Sequence, residues 1–318
     1  MSFEIICGSA DTVLKDYREK NLIYPKFDCL VTSPPYFQKR KYLDVTHPSV
    51  GLEIGRERKT KQYFSHLALV FREAAKHLKD SATVFVNIGD TFQHGQAIRI
   101  PSGFVDFMKE EGYHFVQEIV WAKSISTDSG NVGSCKPESA KRRFTNSHEY
   151  VLFFVRDMDL YYFNAESVSV PISQIHHDQI HSFLKIKETT ACEHLKEETF
   201  PLKEYKSYLA ETPTSVRDRI LENKIKSGNF TARRRSVWQI PTPNSRNRHT
   251  AVGPERLFEI CVLAGCPEGG TVLDPFAGEG TVGKTALKNK RRFVGIDLDE
   301  RSCSEAKRNL DSVLPKAS

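Results

Sequence analysis

Between Thr271 and Asp297 the chain reads TVLDPFAGEGTVGKTALKNKRRFVGID, and this stretch constrains the fold more than any other. An apolar run, Val272-Leu273, passes through Asp274-Pro275-Phe276-Ala277-Gly278-Glu279-Gly280 to Thr281, where a helical pattern starts. A second apolar run, Phe293 to Ile296, then ends on Asp297, 23 residues after Asp274. Strand, turn, helix and strand in that order require a parallel sheet with helices packed across it. Glycines in the turn let backbone amides approach a ligand at the carboxyl edge of the sheet, and an acid ending the next strand can accept bonds from both hydroxyls of a ribose. The competing reading is an ordinary tight turn with Asp297 capping the last helix; the order of the elements favours the ligand site.

The same alternation runs through the rest of the chain. Strands are expected at Ile5-Ile6, Asp28 to Val31, Thr83 to Ile88, Tyr113 to Trp121 and Tyr150 to Val155. Helices are expected over Lys61 to Lys79, Pro101 to Glu110, Pro254 to Gly265, Gly280 to Lys288 and Glu300 to Leu310. Residues 172 to 235 are polar and lack comparable strand-like runs, which marks an inserted module. The expected organisation is a core built from both ends of the chain, 1–164 with 237–318, and an insertion over 165–236.

A second motif, Thr32-Ser33-Pro34-Pro35-Tyr36, follows the strand Asp28 to Val31 directly. Its prolines fix an extended turn and remove two amide donors, so the Ser33 hydroxyl and the Pro34 carbonyl remain as acceptors. A ring-conjugated amino group needs such acceptors: its nitrogen is a poor nucleophile until hydrogen bonds localise the lone pair. Tyr36 offers a flat face for a base to stack on, worth roughly 1–3 kcal/mol by analogy with other base–aromatic stacks. Alone, the motif reads better as a loop corner with a buried tyrosine; together with the glycine turn, the acceptor reading prevails.

Seven scattered cysteines without C-x-x-C spacing disfavour a disulfide framework or a zinc ribbon, and no apolar run is long enough to span a bilayer, so a soluble cytoplasmic protein is expected. The net charge of +6 is modest, but its distribution is uneven. Lys136, Lys141, Arg142 and Arg143 cluster in the stretch Ser124 to Phe144, read as a loop, and Arg233, Arg234, Arg235, Arg246 and Arg248 fall in an acid-free stretch. Both clusters are candidate phosphate contacts, with solvated surface as the alternative. His176, His177 and His181 lack accompanying Cys or well-spaced acids and read as surface residues; no metal site is expected.

Taken together the motifs resemble the S-adenosylmethionine-dependent DNA amino-methyltransferases, in the subgroup that places S-P-P-Y before the cofactor loop. The likeness also covers Leu78-Lys79-Asp80, Val84 to Asp90, Val120 to Lys123, Ser147 to Tyr150, Val237-Trp238, and His249-Thr250 leading to Pro254 and Leu257. It implies an α/β fold with a doubly wound, mostly parallel Rossmann-like sheet in circularly permuted order, carrying a target-recognition insertion. It also implies that Asp274, Pro275, Phe276, Gly278, Gly280 and Thr281 line the methionine and ribose end of S-adenosylmethionine. Asp297 would hold the ribose, with His249, Thr250 and Thr32 beside the cofactor. Gly8-Ser9 stands where related chains often have Gly-Asp near the adenine, which makes Asp11 a candidate substitute.

For catalysis the resemblance implies Ser33, Pro34, Pro35 and Tyr36 around a base flipped out of duplex DNA, and direct in-line methyl transfer without a covalent intermediate. Cys266-Pro267 is read as structural. Ser at the first position of this motif goes mostly with cytosine N4 in the family, and Asp with adenine N6. The expectation is therefore cytosine-N4 methylation at a specific site in a restriction-modification setting. A cognate endonuclease would act on the same site without a stable complex, and the enzyme would be a monomer or homodimer. Adenine-N6 methylation and a catalytically inactive DNA-binding regulator on the same fold stay open as alternatives.

Overall fold

The computed structural model describes residues 2–19, 26–133, 135, 138–139, 141–171, 231–242 and 253–314. The chain divides into two compact units, Met1–Ser167 with Arg235–Ser318, and Val168–Arg234. Most of the second unit, including His176, His177 and His181, lies outside the described residues. Its described ends pair antiparallel, Val170 with Ala232 and Pro171 with Thr231, and Arg234 Nε donates to the Val168 carbonyl at 3.0 Å.

The first unit is a doubly wound α/β structure. Its main sheet comprises β1 (Phe3–Cys7), β2 (Phe27–Thr32), β3 (Leu78–Ile88), β4 (His114–Ala122), β5 (His148–Val155), β6 (Val237–Gln239), β7 (Thr271–Asp274) and β8 (Arg292–Asp297). Their spatial order is β1-β8-β7-β2-β3-β5-β4-β6. The last two strands in sequence thus insert between the first two, and this builds the core from both ends of the chain. Among the eight, only β5 runs against the rest. All residues of β2 and β7 are buried, as strands covered on both faces must be.

Helices α1 (Ala10–Glu19), α2 (Thr60–His77) and α3 (Ile100–Glu110) form one covering layer, and α4 (Glu255–Gly265), α5 (Thr281–Lys288) and α6 (Glu300–Asp311) the other. Tyr63, Leu67, Val70, Phe71 and Ala74 make the buried stripe of α2 at helical spacing. Phe71 meets Phe104 and Tyr113 edge to face, at 5.4 and 6.4 Å between ring centres, in the aromatic core of that layer. Among the described residues no helix is long and apolar enough to cross a membrane.

Two local expectations are corrected. The helix expected to reach Lys79 ends at His77, and β3 begins at Leu78 rather than Thr83. Leu78 pairs with Phe27 of β2 and is fully buried, so sheet pairing captures residues whose helical pattern alone would have carried on. The stretch read as loop after β4 contains an antiparallel hairpin, Ser124–Thr127 with Gly130–Gly133, whose turn is closed by Gly130 at φ +124.

Candidate active site

Strands β7 and β2 lie side by side, with Leu273 opposite Leu30, and the chain leaves their carboxyl ends in opposite directions. From β7 it passes through α5 to β8 on one side; from β2 it passes through α2 to β3 on the other. Such a divergence opens a crevice at the carboxyl edge, where open α/β sheets take ligands. Both sequence motifs end there. The Thr32 hydroxyl at the head of the proline corner donates to Asp274 Oδ1 at the head of the glycine turn, at 2.6 Å.

The glycine turn is held by its two acids. Asp274 Oδ1 also accepts from the Phe276 amide at 3.0 Å, and Asp297 Oδ2 accepts from the Gly278 amide at 2.8 Å. Gly278 sits at φ +52 with open space where a side chain would begin, so ligand atoms can approach its backbone. Gly280, at φ +82, is the N-cap of α5 and packs against Ala306, where an added carbon would come within 3.2 Å. The last helix is capped by Asp299, whose carboxylate accepts from the Arg301 and Ser302 amides. Asp297 is thus not spent as its cap. Burial raises the Asp274 carboxyl to about 7, against the lowering effect of its two donors, and burial raises Asp297 as well. From the far side, the Gly8 amide donates to the Asp297 carbonyl at 2.8 Å, and Ser9 Oγ is bonded to Asp11.

The proline corner is backed by a polar network. Tyr63 of α2 donates to the Pro35 carbonyl at 2.9 Å and pins the turn to the helical layer. The Tyr36 hydroxyl lies 2.7 Å from Glu149 Oε2 and 3.2 Å from Asn87 Oδ1, and Ser33 Oγ lies 3.4 Å from the same Asn87 oxygen. Lys123 Nζ pairs with Glu149 Oε1 and lies 4.8 Å from the centre of the Trp121 ring. Burial and the adjacent carboxylate push the Tyr36 phenol well above its ordinary range, so it remains a neutral donor.

A cleft of about 770 Å³ joins the two motifs. Ser33, Pro34, Pro35 and Tyr36 line it, as do Gly8 and Ser9, and Asp274, Pro275, Phe276, Gly278, Thr281 and Asp297. Thr32 is fully buried behind Asp274, Gly280 is buried under α6, and Asp11 reaches the site through Ser9, so these three support the lining. His249, Thr250 and Lys136 lie outside the described residues. Of the basic candidates, Lys141, Arg142, Arg233 and Arg235 are exposed. Arg143 is bonded to Glu138 at 2.5 Å and stacks 3.9 Å above the Phe92 ring. Burial raises the Cys266 thiol to about 12, which fits a structural residue and not a nucleophile.

Asn87, Lys123 and Glu149 line the cleft too, and sequence reasoning gave them no role. The available signal was Asn87 itself, an amide inside the apolar strand Val84-Phe85-Val86-Asn87-Ile88. A polar group buried there must be matched by partners.

The sequence profile of the DNA methylase family that groups the N6 and N4 enzymes matches residues 27–308. The Type II methyltransferase M.SmaI of Serratia marcescens is 28% identical over 333 residues, covering 95% of this chain and 91% of that one. Among solved structures, the PvuII DNA methyltransferase (cytosine-N4-specific) superposes with a TM-score of 0.58 at 14% identity, over 99% of this chain and 88% of the other. M1.HpyAVI in complex with SAM superposes with a TM-score of 0.51 at 17% identity, over 97% of this chain and all (100%) of the other.

Proposed function

This chain belongs to the DNA methylase family of N6 and N4 methyltransferases, and on that premise we propose that it methylates the exocyclic N4 of cytosine in duplex DNA. The observation that carries the reading is the Thr32–Asp274 bond, which holds an acceptor-rich corner and a nucleoside-type turn across one crevice. The choice of cytosine rests on Ser33, since serine at that position goes mostly with cytosine N4 and aspartate with adenine N6.

S-adenosylmethionine is the cofactor of this reading, and the residues fit it. Asp297 meets the turn through one oxygen at Gly278 and through the other at Asp299, and it stands at the cleft as a further acceptor for ribose hydroxyls. The open backbone at Gly278 leaves room for the chain of the ligand, and Asp274 offers a carboxylate to an ammonium group. When bound, the cofactor supplies an electrophilic methyl group. The protein's part is positioning: Ser33 and the Pro34 carbonyl accept from the amino hydrogens and localise the nitrogen lone pair, while Tyr36 presents its ring to the base. The target nucleotide leaves the stack to reach them, because neither group can enter an intact duplex. The unit Val168–Arg234 and the exposed Lys141, Arg142, Arg233 and Arg235 are assigned to target recognition, the cations by phosphate contact.

Incubation with unmethylated DNA and labelled cofactor, followed by digestion to nucleosides, tests the choice of base. Label is expected in N4-methyldeoxycytidine; label in N6-methyldeoxyadenosine would overturn it.

A further inference from the structure

Phe144 is the most exposed large apolar side chain among the described residues, with 97% of its surface open. Its backbone is nevertheless pinned on both sides. Before it, the Arg143 guanidinium is bonded to Glu138 at 2.5 Å, donates to the Phe144 carbonyl at 3.1 Å and stacks on Phe92. After it, the Asn146 amide donates to Glu138 at 3.4 Å, and the Ser147 carbonyl accepts from the Lys123 amide at 2.8 Å. The ring is thus presented to solvent from an anchored stretch of chain.

That stretch borders the crevice. Glu138 and Asn146 line the cleft together with Tyr36 and Glu149, and Phe144 is two residues from Asn146, at most about 7 Å of extended chain. Charge indicates what the ring meets there. Lys141, Arg142 and Arg143 precede it, and no acid occurs between Glu138 and Glu149. A second cationic stretch, the exposed Lys39 and Arg40, lines the cleft just after the S-P-P-Y corner. The two stretches meet opposite faces of a short hairpin, Phe92–Gln93 with Gln96–Ala97. Arg143 stacks on Phe92, while Gln93 Nε2 donates to Gln38 Oε1 at 2.8 Å, and successive strand residues point to opposite sides. Cations on both flanks suit a polyanion lying across the rim, with one aromatic ring among them.

We propose that Phe144 is a wedge for duplex DNA: its ring enters the gap that the target base leaves in the stack, while Lys141 and Arg142 hold neighbouring phosphates. The inference rests on the reading that the target base flips, and it supplies the group that replaces the lost stacking. The gap is about 3.4 Å high, the thickness of one aromatic ring, and apolar wedges of this kind enter base steps in other DNA-binding proteins.

Mapping the methylated position in plasmid DNA treated with the parent enzyme defines the probe, a short duplex carrying that site. Single-turnover methylation at saturating enzyme then reports the fraction of complexes with the base flipped. Phe144→Ala should be slower than the parent by about tenfold, the scale of one lost base–aromatic stack, and Phe144→Tyr, which keeps the ring, should match the parent. On a duplex whose target base is mispaired, flipping costs less and the deficit of Phe144→Ala should shrink. Thermal melting without DNA should be unchanged, because the ring is exposed. Equal rates for parent and Phe144→Ala, an equal deficit on paired and mispaired targets, or a lowered melting temperature would each overturn the proposal, the last by showing that the ring packs against protein. A parent that leaves plasmid DNA unmethylated removes the underlying reading, whereas an active parent matched by Phe144→Ala removes only the wedge.

Discussion

Thr32 and Asp274, 242 positions apart in sequence, share a buried hydrogen bond of 2.6 Å that ties the end of β2 to the end of β7. The bond supplies a donor to a carboxyl group that burial alone would keep protonated, and it sets the spacing between the two loops of the cleft. Thr32→Val keeps the volume and removes the donor. It should cost roughly 1–3 kcal/mol in denaturant unfolding and weaken S-adenosylmethionine binding; unchanged values for both would show that the bond does not matter.

Asp297 and Asp299 are two residues apart and have separable jobs. Asp297→Ala should weaken cofactor binding by roughly 1.5–3 kcal/mol, the loss of bonds to a charged acceptor. Asp299→Ala removes the cap of α6, and should cost about 0.5–2 kcal/mol of stability with cofactor affinity nearly intact. Calorimetry and thermal melts on the pair would expose any exchange of roles.

Ser33→Ala should lower kcat by about 10²–10³, as removal of a preorganised polar contact does elsewhere, while cofactor affinity stays at the parent value. Equal turnover in mutant and parent would remove Ser33 from the chemistry.

Because burial raises Asp274 to about 7, cofactor binding should depend on pH in a stated direction. Below that value the free protein carries a proton on Asp274; the bound form needs the carboxylate, so binding releases the proton. Kd should rise about tenfold for each unit below pH 7 and level off above it. Asp274→Asn should bind more weakly and lose the dependence. A flat profile in the parent would contradict the assignment.

Arg143 is already committed to Glu138 and the Phe92 ring, whereas Lys141 and Arg142 are exposed. Alanine at Lys141 or Arg142 should reduce the slope of log K against log salt for DNA binding by about one, and alanine at Arg143 by less. Equal reductions at all three would mean that Arg143 releases its partners on DNA.

Much of this was legible in the residues. The stretch from Thr271 to Asp297 announced its βαβ unit because every part of it is local: an apolar strand, a glycine turn, a helix and a second strand. The S-P-P-Y corner was legible for the same reason, since prolines constrain the chain whatever surrounds them. What escaped was non-local. Leu78 looks helical until Phe27 is placed beside it. The polar network escaped too, because Asn87 and Glu149 come from two strands and Lys123 from the residue just after a third, and the pairing of those strands is not written in any one of them. Thr32, which the resemblance sets beside the cofactor, is fully buried behind Asp274, a position that only the folded chain reveals.

The reversed direction of β5 has a mechanical consequence. Parallel strands offer this rim of the sheet only their exits, where the backbone loosens into loops. Here Glu149 stands on an entrance, next to Tyr150, which is laddered to Ile88 on one flank and Val120 on the other. The carboxylate is thereby anchored in regular hydrogen-bonded backbone. The acceptor of the Tyr36 hydroxyl is therefore held by the sheet itself and not by a loop.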